Sequence, residues 1–159
     1  DVAPSRGLGD VYKRQGWRLL LNETEMIHRN GDSIAIIGVE NIGDPPFKIY
    51  GNLGKAYPNT ADSVTKILLS HSPAHWVGDI KDNPRRNVAL TLSGHTHAMQ
   101  IELLGFSPAK WRYPTWGGLY SDDSDSHHLY VNIGIGTVGL PMRVGAKPEL
   151  TIITLRKAD

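Results

Sequence analysis

Apolar and polar positions alternate along this chain in short runs, which is a strand pattern more than a helix pattern. Trp17 to Asn22 carries Leu19-Leu20-Leu21 and predicts a strand. Glu25 to His28 and Ser33 to Val39 flank Arg29-Asn30-Gly31-Asp32. Asn-Gly between two such runs predicts a β-hairpin. Ile34, Ile36, Ile37 and Val39 are β-branched, as a buried strand prefers. Glu40-Asn41 then places two polar side chains at a strand end, and Gly43-Asp44-Pro45-Pro46 predicts a loop. A short helix is expected within Asn52 to Asp62. Val64 to Ser70 predicts a strand, and Pro73 to Lys81 a short helix with Trp76 and Val77 inward. Asn87 to Ser93 is apolar at nearly every position, which predicts a strand covered on both faces. Gln100 to Leu104, Gly117 to Tyr120, Leu129 to Ile135 and Glu149 to Arg156 are further predicted strands. Ser121 to Ser126 is a polar, acidic loop. The expected class is α/β, rich in strands and poor in helices.

Composition narrows the chemistry. The 159 residues fit one domain, with a hydrophobic fraction of 40% and a net charge of +1. Arg85-Arg86 is the densest interior basic pair, so no nucleic-acid partner is expected. With no cysteine, disulfides and thiolate metal sites are excluded. No stretch is apolar for long enough to span a bilayer. Residues 1–15 show no strand or helix period. Asp10-Val11-Tyr12-Lys13-Arg14-Gln15 resembles the translation of a sequencing adaptor, so 1–15 is expected to be a non-native or disordered segment, with the genuine domain over 16–159.

The candidate chemistry lies at two strand ends. Ile67-Leu68-Leu69-Ser70 runs into His71, and Leu90-Thr91-Leu92-Ser93 runs through Gly94 into His95-Thr96-His97. Neutral imidazole is a good ligand for zinc, manganese or iron. Open α/β sheets place ligands at the carboxyl ends of their strands. His71, His95 and His97 are therefore the candidate metal ligands. Three neutral imidazoles do not offset two divalent ions, so a binuclear site also needs carboxylates. His75 is expected to be structural or solvated, and His28, His127 and His128 to be surface residues. Asp125-Ser126-His127 spells Asp-x-His but follows a polar loop, and is read as coincidence. Trp111, Tyr113, Trp116 and Tyr120 are candidates for an aromatic rim, with core packing the commoner role for such clusters.

Leu68-Leu69-Ser70-His71-Ser72-Pro73, Leu92-Ser93-Gly94-His95-Thr96-His97, Tyr130 to Arg143 and Pro148-Glu149-Leu150-Thr151 together resemble the C-terminal part of calcineurin-like metallophosphoesterases, in the bacterial phosphodiesterase-like branch. The resemblance covers about Gly16 to Lys157. It implies a four-layer α/β/β/α sandwich and a phosphoester hydrolase with two divalent ions (Mn, Fe or Zn) between the sheets. His71 and His95 match ligands of one ion and His97 a ligand of the other. Glu40 and Asn41 match a strand end near the pocket and are candidate substrate contacts. The family's Asp-x-His, Gly-Asp and Gly-Asn-His motifs, the last of which assists the leaving group, have no counterpart in context. Gly43-Asp44 and Gly51-Asn52 echo them, but Leu53 stands where His is required. The chain is therefore expected to be inactive alone and to bind metal weakly, while the intact gene product hydrolyses phosphoesters. Branch members often carry an N-terminal membrane anchor, which implies membrane association of the full-length protein. Ala98-Met99 stands where the branch commonly has Gly-Gly. The alternative is a non-catalytic β-rich metal-binding or interaction module, or a degenerate phosphoesterase.

Overall fold

A computed structural model describes residues 13–43, 48–83 and 85–156. One mixed sheet of six strands organises them. β1 (Glu23–Arg29) and β2 (Asp32–Gly38) form the predicted hairpin. Asn30 and Gly31 take positive φ, +52° and +83°, which is the two-residue turn that an Asn-Gly pair favours. β3 (Thr65–Leu69), β4 (Leu90–Ser93), β5 (Gly118–Ser121) and β6 (His128–Val131) complete the sheet in the order β1-β2-β3-β4-β6-β5. β2, β3, β4 and β6 run parallel, and β1 and β5 are antiparallel edges. The parallel centre puts the carboxyl ends of β3 and β4 side by side, and the site grows from there.

One face of the sheet is closed. Ile37, Leu68, Leu129 and Val131 are each fully buried on it. Trp76, Ile80, Leu53, Ala56 and Val88 cover them in one core. α1 (Leu53–Ala56) begins at Asn52, whose side chain accepts from the Lys55 amide at 2.8 Å. A π-helical turn (Trp76–Ile80) supplies Trp76 and Ile80. Val77, expected inward, points out, and the inward partner of Trp76 is Ile80, four residues on.

The other face is as apolar and is only partly covered, with Ile67 buried at its centre. Ile27, Leu69 and Leu119 are exposed on it, while Ile34, Ile36, Leu90, Leu92 and Tyr130 are half-buried. Leu90 was expected to lie in a strand covered on both sides. In β4 only Thr91 and Ser93 are buried, and the ladder starts at Leu90, not Asn87.

Three predicted strands are absent. Residues 17–22 do not pair. Leu20 instead packs against Gly38, where an added Cβ would come within 2.3 Å of the Leu20 Cβ. Asn22, at φ +57°, is a buried hub. It donates to the Glu40 carboxylate at 2.6 Å and the Tyr50 carbonyl at 3.0 Å, and accepts from the Asn52 amide at 2.7 Å. Residues 100–104 make only isolated bridges, Ile101 with Val144 and Leu103 with Phe106. Residues 149–156 join no strand ladder, because side chains hold them: the Glu149 carboxylate accepts from the Ile133 amide at 3.1 Å, and the Thr151 hydroxyl accepts from the Asn132 side-chain amide at 2.9 Å. The loop predicted over Gly43 to Pro46 lies, past Gly43, outside the described residues, as does 1–12 of the N-terminal segment.

Candidate metal centre

The backbone ladder continues past the two strand ends. Ser70 donates to the Leu92 carbonyl at 3.0 Å, and Gly94 donates to the His71 carbonyl at 3.0 Å. His71 and His95 are thereby carried side by side. Their rings meet edge-on, with centroids 5.0 Å apart and planes at 80°. Nε2 of His71 lies 3.2 Å from Nδ1 of His95. Two nitrogens bound to one ion at about 2.0–2.1 Å stand roughly 3.0–3.4 Å apart. The observed spacing therefore fits a pair of imidazoles sharing one divalent cation. Burial holds the His71 imidazole below its usual pKa, and the nearby charges of His95 and His97 push the same way. His71 is therefore neutral at pH 7, the form that ligates.

His97 reaches the same region through an unusual turn. Residues 97–100 all have positive φ, at +49°, +52°, +48° and +61°. Left-handed backbone costs a non-glycine residue roughly 1–2 kcal/mol, so the surroundings must enforce it. The Thr96 hydroxyl caps the turn by accepting from the Ala98 amide at 3.3 Å and donating to the Trp116 carbonyl. The fully buried Ser107 hydroxyl donates to the Ala98 carbonyl at 2.6 Å. The Gln100 side chain donates to the Leu140 carbonyl at 3.1 Å and accepts from the Val138 amide. The His97 ring then packs on the backbone of Gly134 (φ +78°), where a Cβ would lie 3.3 Å from its Cε1. Nδ1 of His97 is buried and has no hydrogen-bond partner.

A cleft of about 430 Å³ opens beside His71, walled by Ser70, Ser93, Gly94, Tyr130 and Asn132. A second, of about 160 Å³, lies beyond His95 and is walled by Tyr113, Pro114, Pro73 and Val77. Glu40 and Asn41 line neither. The Glu40 carboxylate is engaged by Asn22, and the Asn41 carbonyl accepts from the Tyr50 and Gly51 amides. Among the described residues, no three His, Asp or Glu side chains are gathered so as to hold an ion by themselves.

The remaining histidines separate clearly. His75 is 2% exposed and its Nδ1 lies 2.7 Å from the Ser70 hydroxyl, which itself donates to the Ser72 carbonyl. That proton order makes Nδ1–H the donor and His75 a core strut. His28 is exposed beside Ser33. His127 corrects the surface expectation: its side chain is 12% exposed and meets Asp122, not Asp125, at 2.9 Å. Of the four aromatic candidates, only Tyr113 reaches a histidine, with its hydroxyl 3.2 Å from Nε2 of His95. Trp111 packs on Phe106, Trp116 on the Ala98 cluster, and Tyr120 on the main core. Sequence reading missed Asn22 and Ser107 altogether, since both act through tertiary contacts that no spacing encodes.

Known proteins are similar to this chain in sequence. The chain is 35% identical to the uncharacterized metallophosphoesterase YkuE of Bacillus subtilis over 135 residues, 82% of this chain and 43% of that protein. Over most of its length the chain is similar to proteins named metallophosphoesterases. It is 33% identical over 135 residues to a transmembrane protein with metallophosphoesterase domain of Bos taurus, covering 82% of this chain and 30% of that protein. It is 26% identical over 149 residues to an uncharacterized metallophosphoesterase of Aquifex aeolicus, covering 92% of this chain and 54% of that protein. This metallophosphoesterase homologue thus spans about half, or less, of the relatives' length. No protein-family model and no solved structure matches it.

Proposed function

We propose that the intact gene product is a phosphoester hydrolase of the calcineurin-like type, acting on phosphodiesters or phosphomonoesters with two divalent ions, Mn, Fe or Zn. His71 and His95 serve one ion and His97 the other. The observation that carries this reading is the 3.2 Å approach of two ring nitrogens at adjacent parallel strand ends. When bound, such ions supply a water of lowered pKa and neutralise charge developing on the phosphate oxygens.

The chain's own residues prepare that chemistry. The His71 pKa is lowered, chiefly by desolvation, which favours the neutral imidazole that ligates. Gly94 has no side chain between the two imidazoles and the cleft floor. The turn 97–100 and Gly134 fix the His97 ring before any ligand arrives. Glu40 and Asn41 leave the sheet at the same end, one strand from His71, and are the proposed substrate contacts. The remaining ligands are proposed to be carboxylates from motifs upstream in the intact protein, and the open sheet face to pack against the second sheet of a four-layer sandwich. The relatives named as transmembrane proteins support membrane association of the full-length protein. No helix among the described residues is long and apolar enough to cross a membrane.

Hydrolysis of bis(p-nitrophenyl) phosphate by the full-length protein with manganese, beside His97→Ala, tests the proposal. Activity in the parent and a loss of at least ~100-fold in the variant are expected. Equal activity in both removes the role of His97, and no activity in either favours the non-catalytic or degenerate alternative.

A further inference from the structure

Tyr113 closes a loop that starts and ends at the candidate centre. The Ser107 hydroxyl, which fixes the Ala98 carbonyl in the left-handed turn, also accepts from the Ala109 amide at 3.1 Å. That contact starts α2 (Ala109–Arg112) at a set distance from His97. Tyr113 caps the far end of α2, its amide donating to the Ala109 carbonyl at 2.7 Å. The ring is half-buried, meets the His95 ring edge-on at 5.3 Å and 82°, and has the Arg112 guanidinium 5.0 Å above it. Its hydroxyl then lies 3.2 Å from Nε2 of His95, on the side of the imidazole away from His71.

Taken with the metal reading, this geometry implies a tautomer. A neutral imidazole carries one N–H, and the hydrogen bond at one nitrogen settles which form the other takes. A ligating histidine commonly donates its second N–H to an oxygen, and such partners change metal affinity by about 10–100-fold. His95 faces His71 through Nδ1, so Nδ1 must bear the lone pair for the two rings to share an ion. Nε2 then carries the proton, and the phenolic oxygen of Tyr113, 3.2 Å away, is an acceptor within reach. We propose that Tyr113 is a positioning residue for His95, accepting from Nε2–H and so presenting the Nδ1 lone pair toward Nε2 of His71. The inference rests on the metal reading of the histidine pair.

The test uses the full-length protein with Tyr113→Phe, which keeps the ring and removes the oxygen, beside His95→Ala. Long-range proton–nitrogen NMR of the metal-free protein reads the His95 tautomer, and titration with zinc or manganese reads affinity. The parent is expected to show Nε2–H, and Tyr113→Phe a mixture of tautomers with about 10-fold weaker metal binding and an unchanged melting temperature without metal. Nδ1–H in the parent, or an unchanged tautomer and affinity in Tyr113→Phe, overturns the inference. If the parent binds no metal, or His95→Ala binds as the parent does, the metal reading fails instead, while the tautomer comparison still decides whether Tyr113 sets the ring.

Discussion

The two faces of the sheet are built from the same residue types and end in different states. On one, Ile37, Leu68, Leu129 and Val131 vanish beneath Trp76, Ile80 and α1. On the other, Ile27, Leu69, Leu119 and their half-buried neighbours meet solvent. A strand that is apolar on both sides belongs in the middle of a layered α/β protein. The difference teaches that local connections satisfy the hydrophobic demand of one face, while much of the other stays exposed among the described residues.

The largest expected effect sharpens this contrast. Leu129→Ala on the closed face is expected to cost about 2–5 kcal/mol, read as a drop in urea midpoint. Leu119→Ala, at 66% exposed on the open face, is expected to change stability by less than about 0.5 kcal/mol. Comparable losses would erase the distinction between the faces. Binding of the dye ANS by the chain should fall when charged residues replace Leu119 and Leu69 together, since an open apolar surface is what the dye reports. Unchanged dye binding would mean that this face is covered.

A smaller effect is expected at the turn after His97. Met99 is 41% exposed at φ +48°, so Met99→Gly loses little packing and relieves left-handed strain. A gain of about 1 kcal/mol is expected, seen as a higher melting temperature; a lower one would show that packing of the methionine outweighs the strain. The pair Ala98-Met99 stands where the resembling branch commonly has glycines, and the left-handed geometry gives that preference a physical reason.

The smallest effect is a pH dependence. Burial lowers the His75 pKa, partly offset by Asp79. Its folded-state pKa lies below the unfolded value of about 6.5, so the unfolded state binds the proton first. The stability it contributes is present above that value and declines as the pH falls below it. Denaturation midpoints measured between pH 7 and pH 5 should fall less in His75→Gln than in the parent. Parallel slopes would exclude a buried neutral His75 as a source.

Sequence reading reached the hairpin and the strand ends because both are local. Asn30-Gly31 specifies its turn without help, and Leu69-Ser70-His71 and Ser93-Gly94-His95 carry their histidines at fixed offsets from apolar runs. It failed where side chains replace the ladder. Residues 17–22 look like a strand until Leu20 seats on Gly38 and Asn22 turns left-handed. Residues 149–156 alternate like a strand, yet Glu149 and Thr151 bond to side chains and loop amides around Tyr130 and Asn132. Tyr113 was visible as one aromatic among four, and its selection depends on Ser107, 3.1 Å from the start of a helix that no spacing links to His95.

A double-mutant cycle on metal affinity tests the central claim most directly. Zinc or manganese affinity of the full-length protein is measured for the parent, His71→Ala, His95→Ala and the double variant. If the two imidazoles share one ion, each single change weakens binding by about 10-fold or more, and the double change costs less than the two losses combined. Independent, fully additive losses, or single variants that bind as the parent does, would contradict a shared ion at these strand ends.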